Sequence, residues 1–325
     1  MVQRFYTIAL NTFVETIRQP LYGVILLLTA VLLILNVSLA AFTLDDDDKL
    51  LLDLGLSTLL LSGLFLSAFS AAGVLSREIE NKTVLTVISK PVGRPIFILG
   101  KFAGLLAALL VAFYLSTLVF VLSVRHGVLQ STSDPWDMPV LTFGLGSLIV
   151  SGIVGAFCNY FYGRDFPTTT ITVLTPLLTV SVLLVGKFDE HWEVIPFGSN
   201  YIGGQILIAA YLVFLVVTIT AAVALAASTR FGQLMTLVIC TAVLGLGVIS
   251  DYALGQYEQS HLLAAVAYRA VPNVGFFWII DGLQAGTEKT MVPFTYVGYV
   301  TCYAILLIIG ILSIAIVAFQ RREVG

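Results

Sequence analysis

The chain has 325 residues, 58% of them hydrophobic and only 11% charged, with a mean hydropathy of +1.01 and a formal net charge of −3. Soluble domains carry about 25% charged residues, so a chain this apolar would present broad sticky surfaces to water, and the lipid bilayer is its natural solvent. The slightly acidic balance predicts no nucleic-acid partner.

Backbone groups in lipid must pair internally, which leaves helices or closed barrels. The apolar runs are long and continuous rather than alternating in strand-length units, and each approaches the roughly 20 residues that one helical crossing needs. The expected fold is therefore all-α: a polytopic integral membrane protein forming a single transmembrane domain over 1–325.

The chain opens with "MVQRFYTIALNTFVETIRQP". Arg4, Asn11, Glu15 and Arg18 share one helical face, and Phe5, Ile8, Ala9, Phe13 and Ile17 lie on the other side. Residues 1–19 are therefore predicted as an interfacial amphipathic helix, ended by Pro20. The interrupted apolar pattern and the lack of a small-residue cleavage site speak against a signal peptide.

Eight candidate spans follow, at roughly 21–42, 54–75, 98–124, 140–162, 166–186, 205–227, 232–250 and 292–319. The fourth and fifth are separated only by "GRDF", which predicts a tight hairpin over 140–186. Small residues recur in "SGLFLSAFSAAG" (Ser62–Gly73) and "GLGSLIVSGIVGA" (Gly144–Ala156), a pattern of close helix packing. Pro176 is placed to kink its span. Asn159 and the Thr168–Thr170 run are read as bonding to nearby backbone; the competing reading is that they line a cavity.

Basic residues set the orientation. With the N-terminus cytoplasmic, eleven of the 16 Lys and Arg residues fall on that side and five on the other. An even number of spans keeps the terminal "QRREVG" cytoplasmic as well. The acidic "DDDDK" at Asp45–Lys49 is then a solvated extracytoplasmic loop. The extracytoplasmic segment 251–291 carries "YRAVPNVGFFWIIDGLQAG"; its run Val274–Ile280 is too short to span and reads as an interfacial or re-entrant helix ended by Asp281 and Gly282.

Catalytic templates are missing. There is no HExxH, no nucleophile elbow and no Cys-x-x-Cys, and His126, His191 and His261 all fall in the outer loops. Cys158, Cys240 and Cys302 read as small apolar packing residues. Asp53 and Asp251 sit at span ends rather than deep in a span, which argues against an ion-coupled carrier. "GRPIFILGK" imitates a phosphate loop, but six residues separate Gly93 from Gly100 and Phe102 stands where a Ser or Thr belongs. No nucleotide site is legible, no metal site or cofactor is expected on this chain, and the protein is not read as an enzyme.

One loop stands apart: "LSREIENKTVLTVISKPVGRP", Leu75–Pro95. Ser76 is placed to cap a helix beginning at Arg77. Glu78 and Glu80 would lie in its first turns, where the helix dipole favours acids, and Glu78 pairs in spacing with Lys82. Ile79, Thr83, Val84, Val87 and Ile88 form an apolar stripe. Lys90 closes the helix and Pro91 stops it, and Pro95 opens the next one. Positive-inside anchoring accounts for Lys90, Arg94 and Lys101 but leaves Glu78, Glu80 and the stripe unexplained. The loop 76–95 is thus a short capped helix, from Arg77 until Pro91 stops it, followed by a rigid elbow; a helix with both signs of charge and an apolar face has the character of a docking element.

These residues carry a resemblance. "SREIENKTVLTVISKPVGRPIFILGK" resembles the loop after the second span of ABC-2-type transporter permeases, matching at Arg77, Glu78, Glu80, Thr83, Pro91, Arg94, Gly100 and Lys101. Asn81-Lys82 stands where many members have glycine. The amphipathic N-terminal helix, "ASTRFGQLMTL" (Ala227–Leu237) and short extracytoplasmic helices before the last span are similar too, and the likeness is nearest to permeases found beside copper-site-maturation and gliding-motility ATPases. It implies a transmembrane subunit of an exporter in a bacterial cytoplasmic (inner) membrane. Two permeases, as a homo- or heterodimer, would pair with two ATP-binding subunits that hold the ATP and Mg. It also implies that 76–95 is a cytoplasmic coupling helix whose contacts to the ATPase are Arg77, Glu78, Ile79, Glu80, Lys82, Thr83, Val84, Val87, Pro91 and Arg94. The family pattern has a core of about six spans, so 140–186 is an added hairpin. The competing readings are a non-transporting membrane component that recruits an ABC ATPase, and a membrane-integral enzyme.

Overall fold

The computed structural model describes residues 2–41, 47–80, 93–129, 136–199, 204–253, 255–257, 268, 271–279 and 292–320, and for 75–80 the backbone alone. Its helices are α1 (Val2–Arg18), α2 (Pro20–Ala40), α3 (Asp47–Glu80), α4 (Arg94–His126), α5 (Gly146–Tyr162, entered through a π-helical turn at Val140–Leu145), α6 (Phe166–Val185), α7 (Gln205–Ser228), α8 (Gln233–Ala253) and α9 (Phe294–Gln320). Eight of these described helices, α2 to α9, are long and apolar enough to cross a bilayer. The only strand-like pairing among the described residues is an isolated bridge between Phe188 and Val194.

Local chemistry explains the breaks. Gln19 is extended and Pro20 occupies the first turn of α2, so α1 and α2 meet at a corner that Pro20 can start but not continue through. Gly163 adopts φ 62° after α5 and donates its N–H to the carbonyl of Asn159, closing the α5–α6 turn in a left-handed conformation that glycine takes without penalty.

Three expectations are corrected. No new helix begins at Arg77: the backbone of α3 runs unbroken through Ser76 to Glu80, because no proline interrupts Leu54–Glu80 and Gly73 lies within a helix that packing sustains. At its other end α3 begins at Asp47, so Asp47 and Asp48 of the acidic run occupy a first turn, where the dipole favours them. The helix expected at Val274–Ile280 is a single 3₁₀ turn, Val274–Phe277. Asn273 explains its shortness. Its side-chain oxygen takes the Gly275 N–H at 2.8 Å, closing one turn locally, and Trp278 is already extended.

The chain divides into two compact units. The first comprises 1–16, 63–110 and 211–325. Its centre is α7, on which Leu212, Val213, Val217, Ala221, Ala222 and Leu225 are all buried. The small-residue run of α3 packs there: Gly63 lies against the Val217 side chain, and Ser67 donates to the Val217 carbonyl at 3.5 Å. At one end of this unit, Asp251 of α8 accepts hydrogen bonds from Tyr268 (2.7 Å) and Asn273 (2.5 Å), and the Asn273 N–H reaches the Tyr303 hydroxyl of α9. Gly247 permits this: a Cβ there would collide with the Pro272 carbonyl.

The second unit comprises 17–62 and 111–210. The expected hairpin is present as α5 and α6, stitched by Ser147 and Ser181, whose hydroxyls are 2.6 Å apart. α2 buries the stripe Tyr22, Leu26, Thr29, Leu33, Asn36 and Ala40, and Asn36 donates to Thr58 of α3 at 3.1 Å. Arg18 and Asp165 pair at 3.0 Å at one end of the unit. At the other end Arg125 pairs with Asp137 at 2.9 Å and donates to the Phe188 carbonyl at 3.1 Å. Within each unit, these groupings of helix ends follow the alternation of successive spans.

Candidate functional site at the base of the charged loop

The residues singled out in the charged loop divide three ways. Arg77, Glu78, Ile79 and Glu80 form the end of α3. They continue the helical backbone of the spanning segment without a break. Lys82, Thr83, Val84, Val87 and Pro91 lie outside the described residues. Arg94 is the first residue of α4 and Pro95 the second, as the proline placement predicted.

Arg94 is anchored. Its Nη1 donates to the Gln320 carbonyl oxygen at 2.6 Å, and one turn further along, the Phe97 ring stacks on Phe319 with centroids 5.6 Å apart. A second arginine reaches the same terminus: Arg230, just beyond α7, donates Nη2 to the Ala318 carbonyl at 2.9 Å. Backbone carbonyls point toward the negative end of a helix dipole, so two guanidinium groups at this turn gain both a hydrogen bond and a favourable charge interaction.

Lys101 lies two turns into α4 and is only 4% exposed. Its Nζ is 3.8 Å from Glu15 Oε2 of α1 and 5.6 Å from the centroid of the Phe97 ring. A buried ammonium is costly unless a carboxylate or an aromatic face compensates it, and here both do. The approach of α1 depends on two glycines flanking the lysine. A Cβ on Gly100 would lie 2.8 Å from Ile8 Cγ2, and one on Gly104 would strike the Ala9 carbonyl and Thr12. α1 therefore packs through Ile8, Ala9, Thr12 and Thr16, a narrower and more polar seam than the face predicted from its apolar residues.

Among the described residues no group of three or more His, Cys, Asp or Glu side chains could hold a metal ion, and Cys158, Cys240 and Cys302 carry free thiols. What the arrangement offers is a fastening: the first turn of α4 is tied to the last described turn of α9, which Arg230 also holds, and two turns further along Lys101 ties α4 to α1. Sequence reasoning took Lys101 for a topology signal. The pattern Gly-Lys-x-x-Gly at 100–104, set against an acid at position 15, was the trace of its packing role. The clasp on α9 left no local trace, since Gln320 and Ala318 take part only through their backbone.

Asn159 donates to the Arg164 carbonyl at 2.7 Å and Thr169 to the Asp165 carbonyl at 2.9 Å, as the backbone-bonding reading expected. Thr168 and Thr170 depart from it: their hydroxyls are buried without a hydrogen-bond partner among the described residues, and Thr170 lines a cavity.

No protein-family model matches the chain, and no curated protein matches it either.

Proposed function

We propose that this chain is the membrane-spanning permease subunit of an ABC-2-type exporter, coupling ATP hydrolysis on a separate ATP-binding subunit to movement of a substrate across a bacterial cytoplasmic membrane. The observation that carries the reading is the charged stretch Arg77–Lys101, where acids, a stripe and a Pro-x-x-Arg elbow join two spanning helices. Its two flanks support the reading. Arg77, Glu78 and Glu80 continue a spanning helix without a break, so force applied to them would pass into α3 through an unbroken hydrogen-bonded rod. Arg94 and Lys101, at the far flank, are tied to α9 and α1, so a displacement there would reach three helices at once. The ATP and Mg would be held by the partner, and a second permease, identical or not, would complete the unit with both termini of each chain cytoplasmic.

The deciding experiment is a charge reversal. The reading expects an ATP-binding subunit to be encoded beside this gene and to co-purify with the chain; Glu78→Arg with Glu80→Arg is expected to abolish that co-purification while membrane insertion is retained. Unchanged association and unchanged substrate-stimulated ATP hydrolysis in liposomes would overturn the assignment. Cysteines placed at 187–199 are expected to react with an impermeant maleimide from outside the cell; labelling from the cytoplasmic side would reject the eight-span orientation.

A further inference from the structure

The α5–α6 hairpin of the second unit is fastened along one half and loose along the other. Its base, where Val140 leads into α5 and Val185 ends α6, is heavily bonded. The hydroxyls of Ser147 and Ser181, both buried, are 2.6 Å apart, and each lies within 2.9 Å of the Phe143 carbonyl oxygen. The Phe143 ring packs against Phe188 and Trp192. Two links then run from the base to α4. The Tyr114 hydroxyl is 2.8 Å from that of Thr179. Arg125 holds both Asp137, which accepts the Val140 N–H, and the Phe188 carbonyl.

The tip half, 148–175, is held differently. Its one polar link to helices outside the hairpin, among the described residues, is the Arg18–Asp165 pair at 3.0 Å, with side chains 59% and 52% exposed. An ion pair that open contributes little. Beside it, Gly23 of α2 admits Pro167 closely: a Cβ there would lie 3.3 Å from Pro167 Cβ. Between this contact and the base, the tip half stands off from α2 and α4. A cavity of about 390 Å³ separates them, and every hairpin residue lining it falls at 148–152 or 166–174. The cavity beside the base is smaller, about 170 Å³.

The two halves meet at a weak point in both helices. Pro176 interrupts α6 and leaves the Thr172 carbonyl without its helical donor. Thr172 and Thr175 turn their hydroxyls onto the carbonyls four residues earlier, at 2.7 and 2.8 Å, a geometry that bends helices. Across the hairpin, Ser147 faces Ser181 and Gly155 faces Thr170, whose hydroxyl a Cβ on Gly155 would strike. That antiparallel register sets Pro176 opposite 150–152. Gly152 lies there, a poor residue for a helix interior, and a Cβ built on it meets nothing within 4 Å. Proline and glycine at one depth give the hairpin a hinge.

We infer that the tip half of the hairpin is a hinged gate. It swings away from α2 about Pro176 and Gly152, opening the larger cavity to the membrane, while the base stays fixed. Arg18–Asp165 and the Gly23–Pro167 contact are the latch that holds it shut in this structure. The swing is inexpensive in lipid. Ile149, Ile153 and Phe157 on the tip half are already exposed, and acyl chains replace an apolar protein contact with little change in free energy. The gate stands apart from the coupling reading and does not need it.

Distances between spin labels test the gate, measured by double electron–electron resonance in lipid nanodiscs. Cys158, Cys240 and Cys302 are first changed to alanine. One label pair, at Leu28→Cys and Phe157→Cys, reports the tip; another, at Leu39→Cys and Leu183→Cys, reports the base. All four positions are exposed. The tip pair is expected to show a main distance and a longer minor one, and the base pair a single narrow distance. Asp165→Asn, which removes the ion pair, and Gly23→Leu, which wedges Pro167 off α2, should each enlarge the longer population. Pro176→Ala and Gly152→Ala, which stiffen one helix each, should diminish it. An unchanged base distance in every variant shows that the hairpin remains folded. A single tip distance that neither latch variant alters would overturn the gate. So would tip and base distances that lengthen together, since the hairpin would then move as one rigid body. A longer population untouched by both stiffening variants would remove the hinge from Pro176 and Gly152, with the same consequence.

Discussion

Arg94 donates Nη1 to the carbonyl oxygen of Gln320 at 2.6 Å, joining the first residue of α4 to the last residue of α9 across 226 positions of sequence. Arg230 binds the same turn through the Ala318 carbonyl. The last described turn of α9 is thus held by side chains from two other segments. Each contact of this type contributes about 0.3–1 kcal/mol. The double variant Arg94→Gln/Arg230→Gln is expected to fray the last turn of α9, read as faster amide hydrogen exchange over 316–320, with exchange at the middle of α9 unchanged. Equal protection in variant and wild type would show the clasp to be dispensable.

The α1–α4 contact depends on the absence of a side chain at Gly104. Gly104→Leu must push the Ala9 carbonyl and Thr12 away, an overpacking cost of about 1–3 kcal/mol. Its consequence is specific: a cysteine at Thr12, which is fully buried, is expected to become reactive to a maleimide only in the Gly104→Leu background. Gly100→Ala should be milder, since the atoms it meets first belong to the Ile8 side chain, which can turn aside.

Arg125 and Asp137 form a buried pair, 5% and 6% exposed, and Asp137 Oδ1 also accepts the Val140 N–H at 3.1 Å, capping the helical turn that leads into α5. Removing one partner strands a buried charge, at about 3–5 kcal/mol. Asp137→Ala is therefore expected to lower the Tm in detergent markedly. The double variant Arg125→Met/Asp137→Ser, which removes both charges and keeps a capping oxygen, should recover most of the loss. If it is no more stable than Asp137→Ala, the deficit comes from elsewhere.

Asp251 organises the segment 271–279 by accepting from both Tyr268 and Asn273. Asp251→Ala leaves the buried Asn273 amide only the longer contact to the Tyr268 hydroxyl at 3.3 Å, a cost of about 1–3 kcal/mol. The amide of Gly275, which the Asn273 side chain holds at 2.8 Å, is the reporter. Its exchange is expected to accelerate in Asp251→Ala and less so in Tyr303→Phe, which removes one acceptor only.

The spans were legible because they are written in composition. A bilayer demands about 20 consecutive apolar residues per helix, and that requirement marks α2 and α4 to α9 to within a few residues whatever their neighbours do. The corner at Pro20 and the hairpin turn at Gly163 were equally local, since a proline without an N–H and a residue at positive φ announce themselves. The charged stretch was legible as a cluster but misread in its first half. Ser76 is a good cap in isolation, yet a helix already propagating through Leu75 has no reason to stop and restart, and the continuity of α3 was decided by that cooperativity.

What the sequence determined alone, then, is the apolar solvent and the eight spanning helices among the described residues, because both follow from the free energy of moving single residues out of water. What only the tertiary structure decided is which polar groups are shared. Lys101 with Glu15, Arg94 with the Gln320 carbonyl and Arg125 with the Phe188 carbonyl are relations between residues far apart in the chain. A charge or an N–H in an apolar surrounding must find its partner in space, and neither periodicity nor composition carries that address.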